Sequence, residues 1–343
     1  MSMREISLAC LIFHTEHLII MNLSIFELAY LGSQAKDTPH SGKAKLLRFA
    51  NSRWIAEATD QQWMHQLGFL PDPNWPLAQL LWLAEPAITR AQLQSADGHG
   101  LLLAQPVHFS LQRDSFGLDA LISLSADEYH MLTQYLNKFF VDEGLTLIPS
   151  VTQQYWFLQT STPWQLSTHS LQSAMYQNIQ GFMPHGQHAQ KLRQVMNQVQ
   201  MLLHEHPVNQ QRIADGLPEI NSIWFSGNSR PAIKTSHKHI GLVGQHRLTA
   251  SLAEAFQLTH YAHIDNAIAQ GVQDALMLVD GMDMVDWDAL FVTVKRRNIQ
   301  RLMIHLPIAG GTLQLSLTPI DCWKFWRQPK SFETLMQQHV QNH

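Results

Sequence analysis

Arg212, in the run HEHPVNQQRIADGLPEINSIWFSGN at positions 204–228, is the side chain best suited by type and setting to hold an anion. A guanidinium can grip a carboxylate or phosphate with two parallel hydrogen bonds. Pro207 must stop the preceding helix, since it lacks the N–H that would extend the ladder. Asn209 then reads as the cap of a short helix closed by Gly216, which puts Arg212 in the first turn, where unpaired backbone N–H groups favour negative charge. His206 and Asn221 bring polar groups to the same loop. These four residues, His206, Asn209, Arg212 and Asn221, form the expected ligand site, for a small phosphorylated or carboxylated metabolite. The same residues also read as architecture, with Arg212 pairing Asp215 or Glu219.

Other chemistry finds little support. His237 and His239 with His246, or His204 with His206, have spacings that could hold a metal, yet no carboxylate or thiolate completes either set. Dispersed surface positions explain the 20 histidines better. The sequence contains no G-x-S-x-G, no G-x-x-x-x-G-K-[ST] and no G-x-G-x-x-G, which leaves out the nucleophile elbow and both phosphate-cradling loops. No catalytic residue is assigned and no cofactor is expected. Lys and Arg total 23 against 27 Asp and Glu, a net charge of −4, which gives no electrostatic reason to seek nucleic acid. The apolar stretch at 5–21 is interrupted by Glu5, His14, Glu16 and His17, so neither a membrane span nor a signal peptide is expected. Two cysteines, Cys10 and Cys322, suit a reducing cytoplasm. Met21 is a second plausible start, which makes 1–20 an extension of uncertain status.

The elements that must position these residues follow from periodicity. NLSIFELAYL reads as a strand, while KAKLLRFANSRWIAEA and TDQQWMHQLGF read as helices. PLAQLLWLAEP is ambiguous between strand and buried helix. Residues 104–180 read as a unit of their own: two strands turned at 114–117, a helix with a Ser125–Glu128 capping box and Gly144 at its end, two further strands, and a polar linker from 161. At 187–206, Ala189, Leu192, Val195, Met196, Val199, Leu202 and Leu203 mark one face of a helix. After 228, strands and helices alternate, as in parallel β-α-β units. CWKFWRQP and SFETLMQQHVQN are expected to close the chain as helices, with Trp323, Phe325 and Trp326 packing or forming a partner patch.

The 204–228 string, with its H-P-V-N, arginine, glycine and P-x-x-N landmarks before a strand, resembles archaeal-type cofactor-independent phosphoglycerate mutases of the alkaline-phosphatase-like superfamily. Together with PVH at 106–108, L-N-x-F-F at 136–140, Y-W-x-L at 155–158 and W-x-F-W at 323–326, the chain resembles more closely a bacterial group called RpfE-type regulatory proteins. The resemblance implies an α/β alkaline-phosphatase-like core at 21–103 and 181–343, with a mostly parallel sheet and a small α+β domain inserted at 104–180. Active members of the family hold two divalent metals on clustered Asp and His side chains. Here the first strand ends LAYLGS without an Asp, the strand DALMLVDG that offers Asp280 is followed by MDMVDWD where a G-H pair is expected, and no Asp-His dipeptide occurs. The departure implies a non-catalytic protein acting by binding a metabolite or a protein partner, with a regulatory role. The alternative is a phosphomutase or phosphatase that uses manganese or another divalent metal on rearranged ligands.

Overall fold

The computed structural model describes residues 21–28, 41–69, 75–86, 100–112, 115–175, 177–228, 240–308 and 311–328. Expectations for 1–20, for the part of the first strand expected beyond Leu28 and for SFETLMQQHVQN lie outside them. Two sheets organise these residues. The first has seven strands in the order β2 (Asn51–Ile55), β12 (Gly311–Leu317), β11 (Ile299–Ile308), β1 (Met21–Glu27), β10 (Asp274–Val279), β8 (Ile240–Val243), β9 (His260–Tyr261). β11, β1, β10, β8 and β9 run parallel to one another, and β12 and β2 extend the sheet antiparallel. The second sheet is antiparallel throughout. In it β3 (Gly100–Gln112) pairs with β4 (Ser115–Leu121), β6 (Trp156–Thr160) and β7 (Ser222–Ser226), and β5 (Leu145–Pro149) joins β6. The fold is mixed α/β with a mostly parallel central sheet.

Alternation along the strands explains the layering, since successive side chains point to opposite faces. In β1, Phe26 faces the second sheet while Leu23 and Ile25 face away; in β10, Leu276 and Leu278 face it and Ala275 and Val279 do not. In β3, Leu101 and Leu103 look toward the first sheet, and Leu102 and Ala104 look outward. The two sheets thus share a central core. It is filled by α2 (Thr59–Gln66), α3 (Leu77–Leu83) and α8 (Arg247–Phe256). The outer face of the first sheet is covered by α1 (Ser41–Phe49), α9 (Ile264–Ala269) and α10 (Trp287–Lys295). The outer face of the second carries α4 (Ala126–Asp142), α6 (Ala189–His204) and α7 (Pro207–Ala214), with the short α5 (Leu171–Ala174) beside them.

Several expectations change. The expected helix at 43–58 ends at Phe49, and its second half is β2, because Trp54 and Ile55 pair with Leu313 and Thr312 on β12. The ambiguous PLAQLLWLAEP is helical over Leu77–Leu83. CWKFWRQP forms one 3-10 turn, Asp321–Trp323, rather than a helix. The second sheet does not stop at 104 and 180: β3 starts at Gly100, and β7 lies in the same sheet with α6 packed on it. Residues 181–228, expected in the α/β core, therefore share a hydrophobic core with the second sheet. The Ser125–Glu128 capping box is present as expected.

Two glycines give a paired prediction. Gly227 has φ +76°, and a Cβ there would stand 2.6 Å from the backbone nitrogen of Ala78, at the start of α3. Gly144, just beyond α4, has φ +69° and open space around it. Gly144→Ala carries only the left-handed backbone penalty, about 1 kcal/mol. Gly227→Ala adds a backbone collision and should cost about 2–4 kcal/mol. Urea midpoints compare them directly, and equal losses would mean that α3 yields freely.

Candidate functional site

The four residues expected to bind a ligand are engaged with their own chain. His206, not Asn209, caps α7: its Nδ1 accepts the Val208 N–H at 3.2 Å, and Pro207 takes the first helical position, where its missing N–H costs nothing. Asn209 lies inside the helix, where its amide donates to the carbonyls of Leu203 and Ile220 and accepts the Ile220 N–H, each at 2.8 Å. Asn221 brackets Phe109 on β3, accepting its N–H and donating to its carbonyl. Arg212 is 4% exposed. It donates to Pro218 O (2.8 Å), to Ser123 O (3.3 Å) and to Glu128 Oε1 (2.7 Å), so its ionic partner is Glu128, not the expected Asp215 or Glu219. These contacts tie the segment to β3 and α4. They close no common opening around all four side chains.

A cavity of about 560 Å³ lies instead at the carboxyl edge of the parallel strands. Its walls include Gly244, His246 and Arg247 from the β8–α8 turn, Asp280 after β10, and Thr152 and Tyr155 from the β5–β6 connection. The chain path explains its position. α8 leaves β8 and buries Leu248 and Leu252 in the core between the sheets, whereas α10 leaves β10 and buries Trp287 and Leu290 on the opposite face. β8 and β10 are neighbours, so their outgoing connections diverge and open a crevice at the strand ends, the usual ligand position in open α/β sheets.

Gly244, at φ +111°, turns the chain from β8 toward α8. His246 caps α8, and its Nδ1 accepts the Leu248 N–H at 3.2 Å. That bond requires a bare Nδ1, so the proton sits on Nε2 and is donated to Asp280 Oδ1 at 3.0 Å. His260 donates to the Gly244 carbonyl at 2.7 Å, holding the turn from the far side. Arg247 stands at the first position of α8, 3.9 Å from Glu85 Oε1. The Glu85 side chain is fully buried. Burial pushes its pKa up, against the Val151 N–H and Arg247, which favour the anion.

The same edge carries Glu27, the last residue of β1. Burial pushes its carboxyl up to about 7, opposed by Lys43. The strand expected over 22–31 ends at Glu27, four residues earlier, which puts an acid at its tip. An acid following the apolar run MNLSIF was the signal. In sequence His246 and Asp280 stand 34 residues apart, and only the β8–β10 pairing joins them.

Two divalent ions, as the family resemblance implies, need clustered carboxylates and imidazoles with open lone pairs. The described residues do not fit that requirement. No three His, Cys, Asp or Glu side chains among them converge as a metal-binding group. Both nitrogens of His246 are already engaged, and His237 and His239 lie outside the described residues. No described helix is long and apolar enough to cross a membrane.

No protein-family model matches the chain. A probable 2,3-bisphosphoglycerate-independent phosphoglycerate mutase of Geobacter sulfurreducens is 35% identical over 69 residues, 20% of this chain and 17% of that protein. The 2,3-bisphosphoglycerate-independent phosphoglycerate mutase of Methanothrix thermoacetophila is 37% identical over 67 residues, 19% of this chain and 17% of that protein. The chain thus spans 17% of the length of each of these curated relatives. A cofactor-independent phosphoglycerate mutase structure from Thermoplasma acidophilum aligns over 92% of this chain and 94% of its own, at 9% identity and a TM-score of 0.34. The sequence similarity to these phosphoglycerate mutases is confined to about a fifth of the chain.

Proposed function

We propose that this chain is a phosphoglycerate-mutase-like protein, of alkaline-phosphatase-like architecture, that acts by binding a small phosphorylated or carboxylated metabolite. The binding place is the crevice between β8 and β10, and the role is regulatory rather than catalytic. The observation that carries this reading is the His246–Asp280 pair at that crevice. One imidazole nitrogen caps a helix and the other is held by a carboxylate, so the side chain positions the turn and has no lone pair left for a metal. Arg247, beside it, supplies the cation for the ligand's anionic group, and the start of α8 adds favourably oriented N–H groups. The polar remainder of the ligand meets Gln245 and Asp280.

The test is isothermal titration with 3-phosphoglycerate and with inorganic phosphate. Metal-free protein should bind one of them, and Arg247→Ala should weaken that binding by about tenfold, the effect of losing one charge-assisted contact. Absence of any binding refutes the reading. The second reading, a metal-dependent phosphomutase or phosphatase, draws on the carboxyls of Glu27 and Asp280 at the same strand ends. Manganese-dependent turnover of phosphoglycerate or a general phosphatase substrate, abolished by a chelator, would establish it instead.

A further inference from the structure

We infer that Ile320, Trp323, Phe325 and Trp326, with the basic end of α10, form a docking surface for an acidic segment of a partner protein. The four side chains are 71%, 62%, 76% and 65% exposed. The other eight tryptophans of the chain are buried or half-buried, so the exposure is particular to this corner. Single exposed apolar residues need no explanation, but a contiguous group of large ones marks an interaction site.

The corner is held rigidly. Asp321, itself buried, accepts the Thr318 N–H at 3.0 Å and the Thr318 hydroxyl at 2.6 Å, and pairs with Lys324. Arg48 of α1 donates to the carbonyls of Phe325 and Arg327, and Arg327 in turn donates to the Phe49 carbonyl and to Asn51 Oδ1. A segment needing only solubility has no use for such anchoring. A recognition surface has, because rotamers and backbone fixed beforehand lose less entropy on binding. Phe325 and Trp326 also meet edge to face, with centroids 5.2 Å apart.

Charge selects the partner. The whole chain carries −4, yet the end of α10 beside Trp323 is basic, with Lys295, Arg296 and Arg297 all exposed in succession. Lys295 Nζ sits 4.5 Å from the Trp323 ring centre. The one carboxylate within the aromatic segment, Asp321, is already buried and paired. Tryptophan is among the residues that dominate protein-interface energetics, and a cation held against it favours acidic residues around an apolar anchor. Arg297, just past α10, holds φ +67°, a left-handed position where glycine would be free of strain.

The probe is a displayed library of random dodecapeptides selected on the full chain, with the selected sequences resynthesised for fluorescence polarisation. The inference expects peptides rich in Asp and Glu around an aromatic or aliphatic residue, and binding that weakens as salt rises. Trp323→Ala with Trp326→Ala should lower affinity by at least about tenfold, with an unchanged melting temperature because both side chains are exposed. Arg297→Gly should weaken binding severalfold without lowering the melting temperature. Failure to select any peptide overturns the inference, as does equal binding by the double variant. Binding confined to phosphatidylglycerol vesicles or to oligo-dT overturns it in favour of a lipid or nucleic-acid surface. Light scattering that shows a dimer lost in the double variant assigns the patch to a second copy of the chain. Peptide binding that appears only after removal of 329–343 assigns it to the chain's own tail.

Discussion

Arg212→Ala is expected to lower unfolding stability by about 3–5 kcal/mol, the range found when one partner of a buried ion pair is removed. Three acceptors in three separate segments converge on its guanidinium: Pro218 O after α7, Ser123 O before α4, and the Glu128 carboxylate within α4's first turn. Truncation orphans both carbonyls. It also leaves Glu128, whose side chain is 18% exposed, with the Ser125 N–H and no cation. Burial works to raise the Glu128 pKa, but the Ser125 N–H and Arg212 outweigh it and hold the carboxyl below its usual range. Alanine at 212 removes much of that support, so part of the loss should disappear in a Glu128→Gln background. Urea unfolding of both single variants and the double variant measures the coupling. A ligand-gripping arginine on a self-sufficient loop would behave differently. Its removal would leave the midpoint nearly unchanged and abolish only protection by anions. That outcome would restore the anion site first read from 204–228.

Local patterns carried the helices and the alternation of elements. The α4 capping box is written into four adjacent residues, and the apolar stripe of α6 needs no distant partner to be recognised. Which sheet a strand joins is not local information. Ser222–Ser226 reads as a strand by itself, but only its pairing with Leu103–Val107 assigns it to the second sheet. Asn51–Ile55 continues a helical pattern in sequence and becomes a strand because β12, some 260 residues later, offers it an edge. The internal partners of the expected site residues stay hidden for a related reason. Histidine, asparagine and arginine in a loop after a proline look like ligand groups, and their internal acceptors at Leu203, Glu128 and Phe109 cannot be seen in the string. Conversely, His246 and Asp280 each follow a strand end. The rule that ligands bind beyond the carboxyl ends of parallel strands would have paired them, had β8 and β10 been placed side by side. The aromatic content of 320–326 is legible locally, whereas its anchoring depends on contacts of Arg48 and Arg327 that join it to α1 and the start of β2.

Acid should destabilise the wild type through His305 more than through any other histidine described. His305 Nδ1 lies 2.8 Å from Gln62 Oε1, and Gln62 Nε2 donates to the Glu57 carbonyl, so the amide is oriented and the imidazole proton sits on Nδ1. Nε2 is buried without a partner, and the ring stacks on Phe26 at 4.0 Å. Protonating Nε2 would bury a charge with no acceptor, and burial pushes the pKa from 6.5 down to about 3. The unfolded chain therefore binds this proton more readily than the folded one. Stability is fully present above about pH 6.5 and falls as pH drops toward 3, at about 1.4 kcal/mol per unit. By pH 5 the loss is about 2 kcal/mol. Glu27 and Asp60 act in the opposite sense, because burial raises their carboxyls to about 7 and about 6. Their contribution is present below their unfolded values, 4.5 and 3.8, and is lost as pH rises through those raised ones. The total curve mixes the two, so the measurement is a difference. His305→Asn keeps a donor for Gln62 and cannot titrate, while Glu27 and Asp60 remain in both proteins. Its stability at pH 8 should be lower than wild type because of lost volume. Between pH 8 and pH 5 it should lose about 2 kcal/mol less than wild type does. Parallel pH curves for the two proteins would mean that His305 is protonated in the folded state, and that the buried face of β11 admits a charge its packing gives no means to solvate.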